Sequence, residues 1–144
     1  SYGVINVEKP YLQWYPGDDY VDWFGVSIFS LYNQKDAGAF ARLAREHRKP
    51  LMIAEASPNS EIPMETKKRW DRWYKTLFAF AREYDVRAIS YINCEWDKFP
   101  MWKGQGWGDS RVENDPLLKQ AWLDEIDKDH YLRSSTQLFK DLGI

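Results

Sequence analysis

Glu55 ends the segment Lys49-Pro50-Leu51-Met52-Ile53-Ala54-Glu55, where a carboxylate follows an uninterrupted apolar run. A glutamate closing a buried strand and entering a loop is partly desolvated, which is costly unless it has partners or a task. The task would be that of a nucleophile, a general acid or base, or an acceptor for substrate hydroxyls. The same position also suits a carboxylate that caps the next helix or pairs with an arginine. A second group, Asn93-Cys94-Glu95-Trp96-Asp97, follows another apolar stretch. An indole at Trp96 offers a flat surface for the C–H face of a pyranose ring, with Asn93, Glu95 and Asp97 as candidate ligands for its hydroxyls. Core packing for Trp96 and loop anchoring for the two acids are the alternatives. Trp102 and Trp107 would extend such a cleft or simply hold their loop together. Tyr32 follows a third apolar run ending Ile28-Phe29-Ser30 and is a candidate hydrogen-bond partner of Glu55.

These residues are useful only if the fold brings them to one edge. Val21 to Phe29, Leu51 to Glu55, and Val86 or Arg87 to Asn93 read as buried strands, rich in β-branched and aromatic residues. Between them lie amphipathic helices. Asp36 caps the first, which runs to about His47 and stops at Lys49-Pro50. The second, Glu65 to Tyr84, carries Trp70, Trp73, Tyr74, Leu77, Phe80, Ala81 and Tyr84 at spacings of three and four. Trp96 to Asp109 is too irregular for an element and reads as a loop. Asp115-Pro116 opens a third helix through Ile126, and a short one from Ser135 to Leu142 stops at Gly143. Ser1 to Tyr15 reads as loop or irregular strand, and Pro16 to Asp19 as a turn.

Strands alternating with helices predict an α/β fold with a parallel sheet and right-handed crossovers. Carboxyl-terminal strand ends are then where functional side chains gather. Three strands cannot close a barrel, and a complete (β/α)8 barrel takes about 250 residues. The 144 residues therefore read as one domain, a partial (half) (β/α)8 TIM barrel.

Hydrophobic residues make up 44% and charged residues 29%, a soluble globular composition. No apolar run reaches the roughly 20 residues of a membrane span, so no membrane partner is expected. The formal charge of −2 argues against nucleic acid. Cys94 is the single cysteine, and His47 and His130 follow no metal-ligand spacing, so no metal or organic cofactor is implied. The chain starts without Met and without a signal-peptide pattern, which leaves the compartment open. Aromatic content is high, with 8 Trp, 9 Tyr and 7 Phe in 17% of the chain.

Three blocks together carry a resemblance. Trp14-Tyr15-Pro16-Gly17-Asp18-Asp19-Tyr20-Val21-Asp22-Trp23-Phe24-Gly25-Val26-Ser27 resembles the entry to strand six of clan A glycoside hydrolases, most closely the family 26 group that includes β-mannanases. Lys49 to Glu55 resembles strand seven, and Ile89-Ser90-Tyr91-Ile92-Asn93 with Trp96-Asp97 resembles strand eight and its rim tryptophan. The likeness runs from about Trp14 to Trp122. It implies a C-terminal half-barrel with strands six to eight, a retaining two-carboxylate mechanism, and Glu55 as the attacking nucleophile. It implies an oligo- or polysaccharide substrate, β-mannan or a related β-glycan, and secretion or a periplasmic site by analogy.

The chain departs from that pattern in two places. The acid/base of the family comes from strand four, to which no segment here corresponds. The tyrosine near the end of strand six is replaced by Ile28-Phe29-Ser30, with Tyr32 an approximate substitute. A half-barrel also leaves a large apolar face, which predicts a homodimer or association with a missing N-terminal half. The competing expectation is a noncatalytic carbohydrate-binding or self-assembling half-barrel; a third is an α/β domain whose aromatics are purely structural.

Overall fold

The computed structural model describes residue 13 and residues 15–30, 34–59, 65–132 and 134–141. The chain divides into two compact units, residues 1–111 and 112–144.

The first unit is an open three-stranded parallel sheet in the order β1 (Phe24–Ile28), β2 (Leu51–Ala56), β3 (Ala88–Tyr91). Helix α1 (Gln34–Glu46) connects β1 to β2. The connection from β2 to β3 is helical over residues 66–83, as α2 (Thr66–Arg69), a π turn (Trp70–Tyr74) and α3 (Lys75–Glu83). The α/β class and the parallel three-strand arrangement are those the sequence predicts. β1 and β3 are shorter than expected, and β2 is one residue longer. Asp18–Tyr20 forms a 3-10 turn, Asp22 and Trp23 are exposed, and the ladder starts where the Phe24 N–H meets the Pro50 carbonyl at 2.9 Å.

One face of the sheet packs on the helices. Phe24 meets Phe40 of α1 at a ring separation of 5.3 Å, and Tyr91 hydrogen-bonds Tyr74 of the π turn. Cα pairing then puts Val26, Ile28, Leu51, Ile53, Ala56 and Ile89 on that same face. The π turn was not expected from the helical stripe. Its extra residue per turn resets the helical phase, so the consecutive residues Trp73 and Tyr74 are both buried, as are Leu77 and Phe78. The Trp73 Nε1–H donates to the Phe29 carbonyl at 3.3 Å, tying this helix to the end of β1.

Strand β2 breaks the alternation. Val26 pairs with Ile53 but Ser27 pairs with Glu55; on the other side Ile53 pairs with Ile89 and Ala56 with Tyr91. The middle strand thus carries one residue more than either neighbour between Ile53 and Ala56, a β-bulge. Without it, Glu55 would share the helix-facing side with Leu51 and Ile53, because a one-residue slip exchanges the two faces. With it, Glu55 lies on the open face and is exposed. The partial desolvation expected for Glu55 is therefore not what the structure has.

The second unit contains α4 (Pro116–Ile126) and α5 (Leu138–Asp141). The Asp115 carboxylate caps α4, accepting from the Leu117 and Leu118 N–H groups at 2.9 and 3.2 Å, with Pro116 at the first helical position as predicted. Glu125 is buried and pairs with Lys128 and the Tyr131 hydroxyl. No helix among the described residues is long and apolar enough to cross a membrane.

Deleting Ala54 should remove the bulge and leave Glu55 on the open face, because Glu55 would then follow Ile53 directly and keep its pairing with Ser27. The deletion should stay within roughly 2 kcal/mol of an Ala54→Gly control in urea unfolding, whereas Ile53→Glu, which puts a carboxylate on the buried helix side, should cost roughly 3 kcal/mol or more. A second expectation concerns acid stability. Hydrogen bonds from Tyr15 and then His47 hold the Asp18 carboxyl below the usual carboxylate range. A depressed native pKa adds stability that is present above about pH 4, the unfolded value, and is lost as pH falls through the lower native value. Asp18→Asn should therefore flatten the decline of Tm on acidification below that pH.

Candidate active site

Glu55 leaves β2 on the open face, and its Oε2 accepts a hydrogen bond from the Ser27 Oγ at 3.0 Å. The two residues are register partners across β1 and β2, so the bulge that turns Glu55 outward also sets it beside Ser27. Ser57, two residues on, is fully buried, and its Oγ accepts the indole N–H of Trp96 at 3.2 Å. The carboxylate strand end and the tryptophan strand end are thereby joined at the carboxyl edge of the sheet.

Trp96 is only 7% exposed and packs against Trp102 and Trp107 at ring separations of 5.4 and 5.0 Å. Trp102 and Trp107 meet at 5.6 Å, and Phe29 from the end of β1 stands edge-on to Trp107 at 5.3 Å. This cluster folds the stretch read from sequence as an irregular loop. A 3-10 turn at Trp96–Lys98 starts it, Asp97 accepts the Gly104 N–H at 3.2 Å, and left-handed backbone at Gly104, Gly106 and Gly108 reverses the chain. Phe99 and Met101 remain exposed.

The base of the loop is closed by a bridge between Glu95 and Asp109. Trp96 N–H donates to the Gly108 carbonyl at 3.0 Å, and Ser110 N–H to the Cys94 carbonyl at 2.9 Å. The Ser110 hydroxyl, fully buried, lies 2.8 Å from the Ile92 carbonyl and 2.9 Å from that of Cys94. The Tyr91 hydroxyl donates to the Ser110 carbonyl, so in its contact with Tyr74, at 2.8 Å, Tyr74 is the donor. Burial first, then the adjoining Tyr74 hydroxyl, pushes Tyr91 well above the ordinary tyrosine range; burial also raises Tyr74. Both stay protonated and act as fixed donors. Arg69, buried at the end of α2, donates to the Asp109 carbonyl at 2.7 Å, while its Nε has no partner among the described residues.

The site residues read from sequence divide into three groups. Glu55 and Trp96 are brought to the same edge through Ser57, and Trp102 is half-buried beside Trp96. Glu95 makes ion pairs with Arg111 at 2.6 Å and Lys98 at 2.9 Å, and exposed Asp97 anchors its own loop. Asn93 is exposed just beyond β3. Tyr32 lies outside the described residues. Sequence reading missed Ser27, Ser57 and Arg111. A signal for Ser27 existed, since it is a lone polar residue inside the apolar run from Val26 to Phe29.

Replacing Ser57 by Ala should leave the buried Trp96 N–H without an acceptor. The expected loss is about 1–3 kcal/mol by chemical denaturation, accompanied by a change in Trp fluorescence.

The chain is similar to known proteins over most of its length. A sequence profile of glycosyl hydrolase family 26 matches residues 2–105. Two curated relatives are each 34% identical over 155 residues: Beta-1,3-xylanase TXYA from Vibrio sp and Beta-1,3-xylanase from Alcaligenes sp. The alignments cover 90% of this chain but 34% and 33% of those proteins, so the chain spans about a third of the length of the relatives it matches. With a profile match over most of its length, three parallel strands in one open sheet, and helices on one face, the chain belongs to glycosyl hydrolase family 26, as part of a (β/α)8 barrel.

Proposed function

We propose that this chain supplies the nucleophile side of a retaining glycoside hydrolase site, with Glu55 as the nucleophile and a β-1,3-linked xylan as substrate. The observation that carries the reading is the bulge in β2, which turns a strand-end glutamate onto the open face and sets it against Ser27. The Ser27 hydrogen bond fixes Oε2 and leaves Oε1 for attack. The names of the two relatives support β-1,3-xylan as the substrate class in preference to the β-mannan that the sequence resemblance suggests.

In the first step, Glu55 Oε1 forms a bond to the anomeric carbon while the bond to the departing sugar oxygen breaks. That oxygen keeps the electron pair and takes a proton from a second carboxylic acid. In the second step water, deprotonated by the same group, displaces Glu55. Retention places the two carboxyl groups about 5–5.5 Å apart. Glu95 and Asp109 are held by Arg111 in the base of the loop, so neither is assigned that role. We assign the acid/base to a segment outside these 144 residues, on an N-terminal half of the barrel that closes over the open face.

A 2,4-dinitrophenyl 2-deoxy-2-fluoro-β-1,3-xylobioside tests the assignment directly. Its aryl oxide leaves without needing a proton, and the fluorine slows the second step, so the nucleophile is trapped as an ester. Peptide mass mapping should find one glycosyl adduct, on Glu55, and none in Glu55→Gln. The same substitution in the complete enzyme should lower kcat by about a thousandfold or more. An adduct on another carboxylate, or turnover that survives Glu55→Gln, would remove Glu55 from this role.

A further inference from the structure

Glu95 and Asp109 face one another across the bridge that closes the aromatic loop. Two carboxylates in that relation repel, and like charges directly opposite one another loosen the pairing they sit on. The Arg111 guanidinium lies between them. Its Nη2 is 2.6 Å from Glu95 Oε2 and 2.7 Å from Asp109 Oδ2, and its Nε is 3.0 Å from Asp109 Oδ1. The other cation on Glu95, Lys98, has an exposed side chain and reaches a single carboxylate oxygen. The three-residue cluster is about two-thirds shielded, where an ion pair is less screened than at an open surface. Arg69 holds the same turn from behind through the Asp109 carbonyl.

Trp96 follows Glu95 directly and is the residue whose indole reaches Ser57, beside Glu55. The alignment of Trp96, and with it Trp102 and Trp107, therefore depends on the bridge staying closed.

We propose that Arg111 is a positioning residue: by neutralising Glu95 and Asp109 it locks the loop of residues 96–108, so that buried Trp96 holds the half-buried Trp102 and Trp107 as a preformed stacking platform for xylose units next to Glu55. The proposal rests on the reading of Glu55 as the nucleophile of a glycosidase. It assigns Arg111 no contact with the substrate. Its effect is on binding that is equal in ground and transition states, which appears in KM and leaves kcat nearly unchanged. An arginine is needed because its planar fork serves both carboxylates at once, which a lysine cannot do.

The test has two readouts, near-UV circular dichroism of this chain and steady-state kinetics of the complete protein on a β-1,3-xylotetraose. The three packed indoles should give a strong coupled signal near the indole band. In Arg111→Met that signal should fall to half or less, KM should rise about tenfold, and kcat should stay within about twofold. Arg111→Lys should lie between Met and wild type on both readouts. If Arg111→Met does not fold, Glu95→Gln serves instead. It removes one charge of the repelling pair, so the dichroism and KM should stay near wild type, and pairing it with Arg111→Lys should relieve part of the lysine defect. Folded Arg111→Met with wild-type dichroism and KM would overturn the proposal, as would a loss confined to kcat or a Glu95→Gln double variant worse than Arg111→Lys alone. Wild-type protein that turns over no β-glycan would instead overturn the reading of Glu55, and the dichroism would still decide whether Arg111 holds the platform.

Discussion

The orientation of Glu55 is decided by the parity of one strand. β2 carries an extra residue between Ile53 and Ala56, and every side chain beyond that point changes the face on which it stands. Ala56 returns to the helix side, where a small buried residue is accommodated, and Glu55 is left opposite Ser27. The rest of the rim is arranged around that switch. Ser57 follows at once and receives Trp96, so the same strand end fixes a carboxylate on one side and an indole on the other. Family membership gives this geometry a chemical context, and the geometry in turn explains why a mostly apolar strand ends in an acid.

The carboxyl edge of β3 is built on a different principle. Several of its backbone carbonyls are satisfied by side chains instead of by another strand: Ser110 for Ile92, Tyr91 for Ser110, and Arg69 for Asp109. Buried donors of this kind are costly to leave unmet and are therefore strongly orienting once met. The result is a loop rich in glycine that is nevertheless tied at its base by several independent bonds. Rigidity there suits a surface that must hold flat rings against other flat rings.

Much of this was legible in the residues. The apolar runs around Val26, Ile53 and Ile89 mark strands because at most a lone serine interrupts them, and Pro116 after Asp115 marks a helix start that the structure reproduces. The bulge was not legible. Leu51-Met52-Ile53-Ala54 is apolar on both faces, so the sequence has no alternation whose break could be seen. The π turn was hidden for the opposite reason, since the stripe from Trp70 to Tyr84 fits an ordinary helix well enough to conceal an added residue. Glu95 read as a ligand for hydroxyls because its partner, Arg111, is 16 residues away and only the bridge brings them together. The family resemblance leaned toward mannan, whereas the two relatives carry the name of β-1,3-xylanase.

The glycines of the aromatic loop have a consequence of their own. Gly104 and Gly108 hold φ of +75° and +68°, yet a methyl group added at either would meet nothing within 4 Å. Space is therefore not what excludes other residues from these positions. What excludes them is chirality, because an L-side chain strains a left-handed backbone whatever room surrounds it. At these two positions the backbone has the hand that D-residues prefer, so the loop that carries the tryptophans is specified in part by handedness.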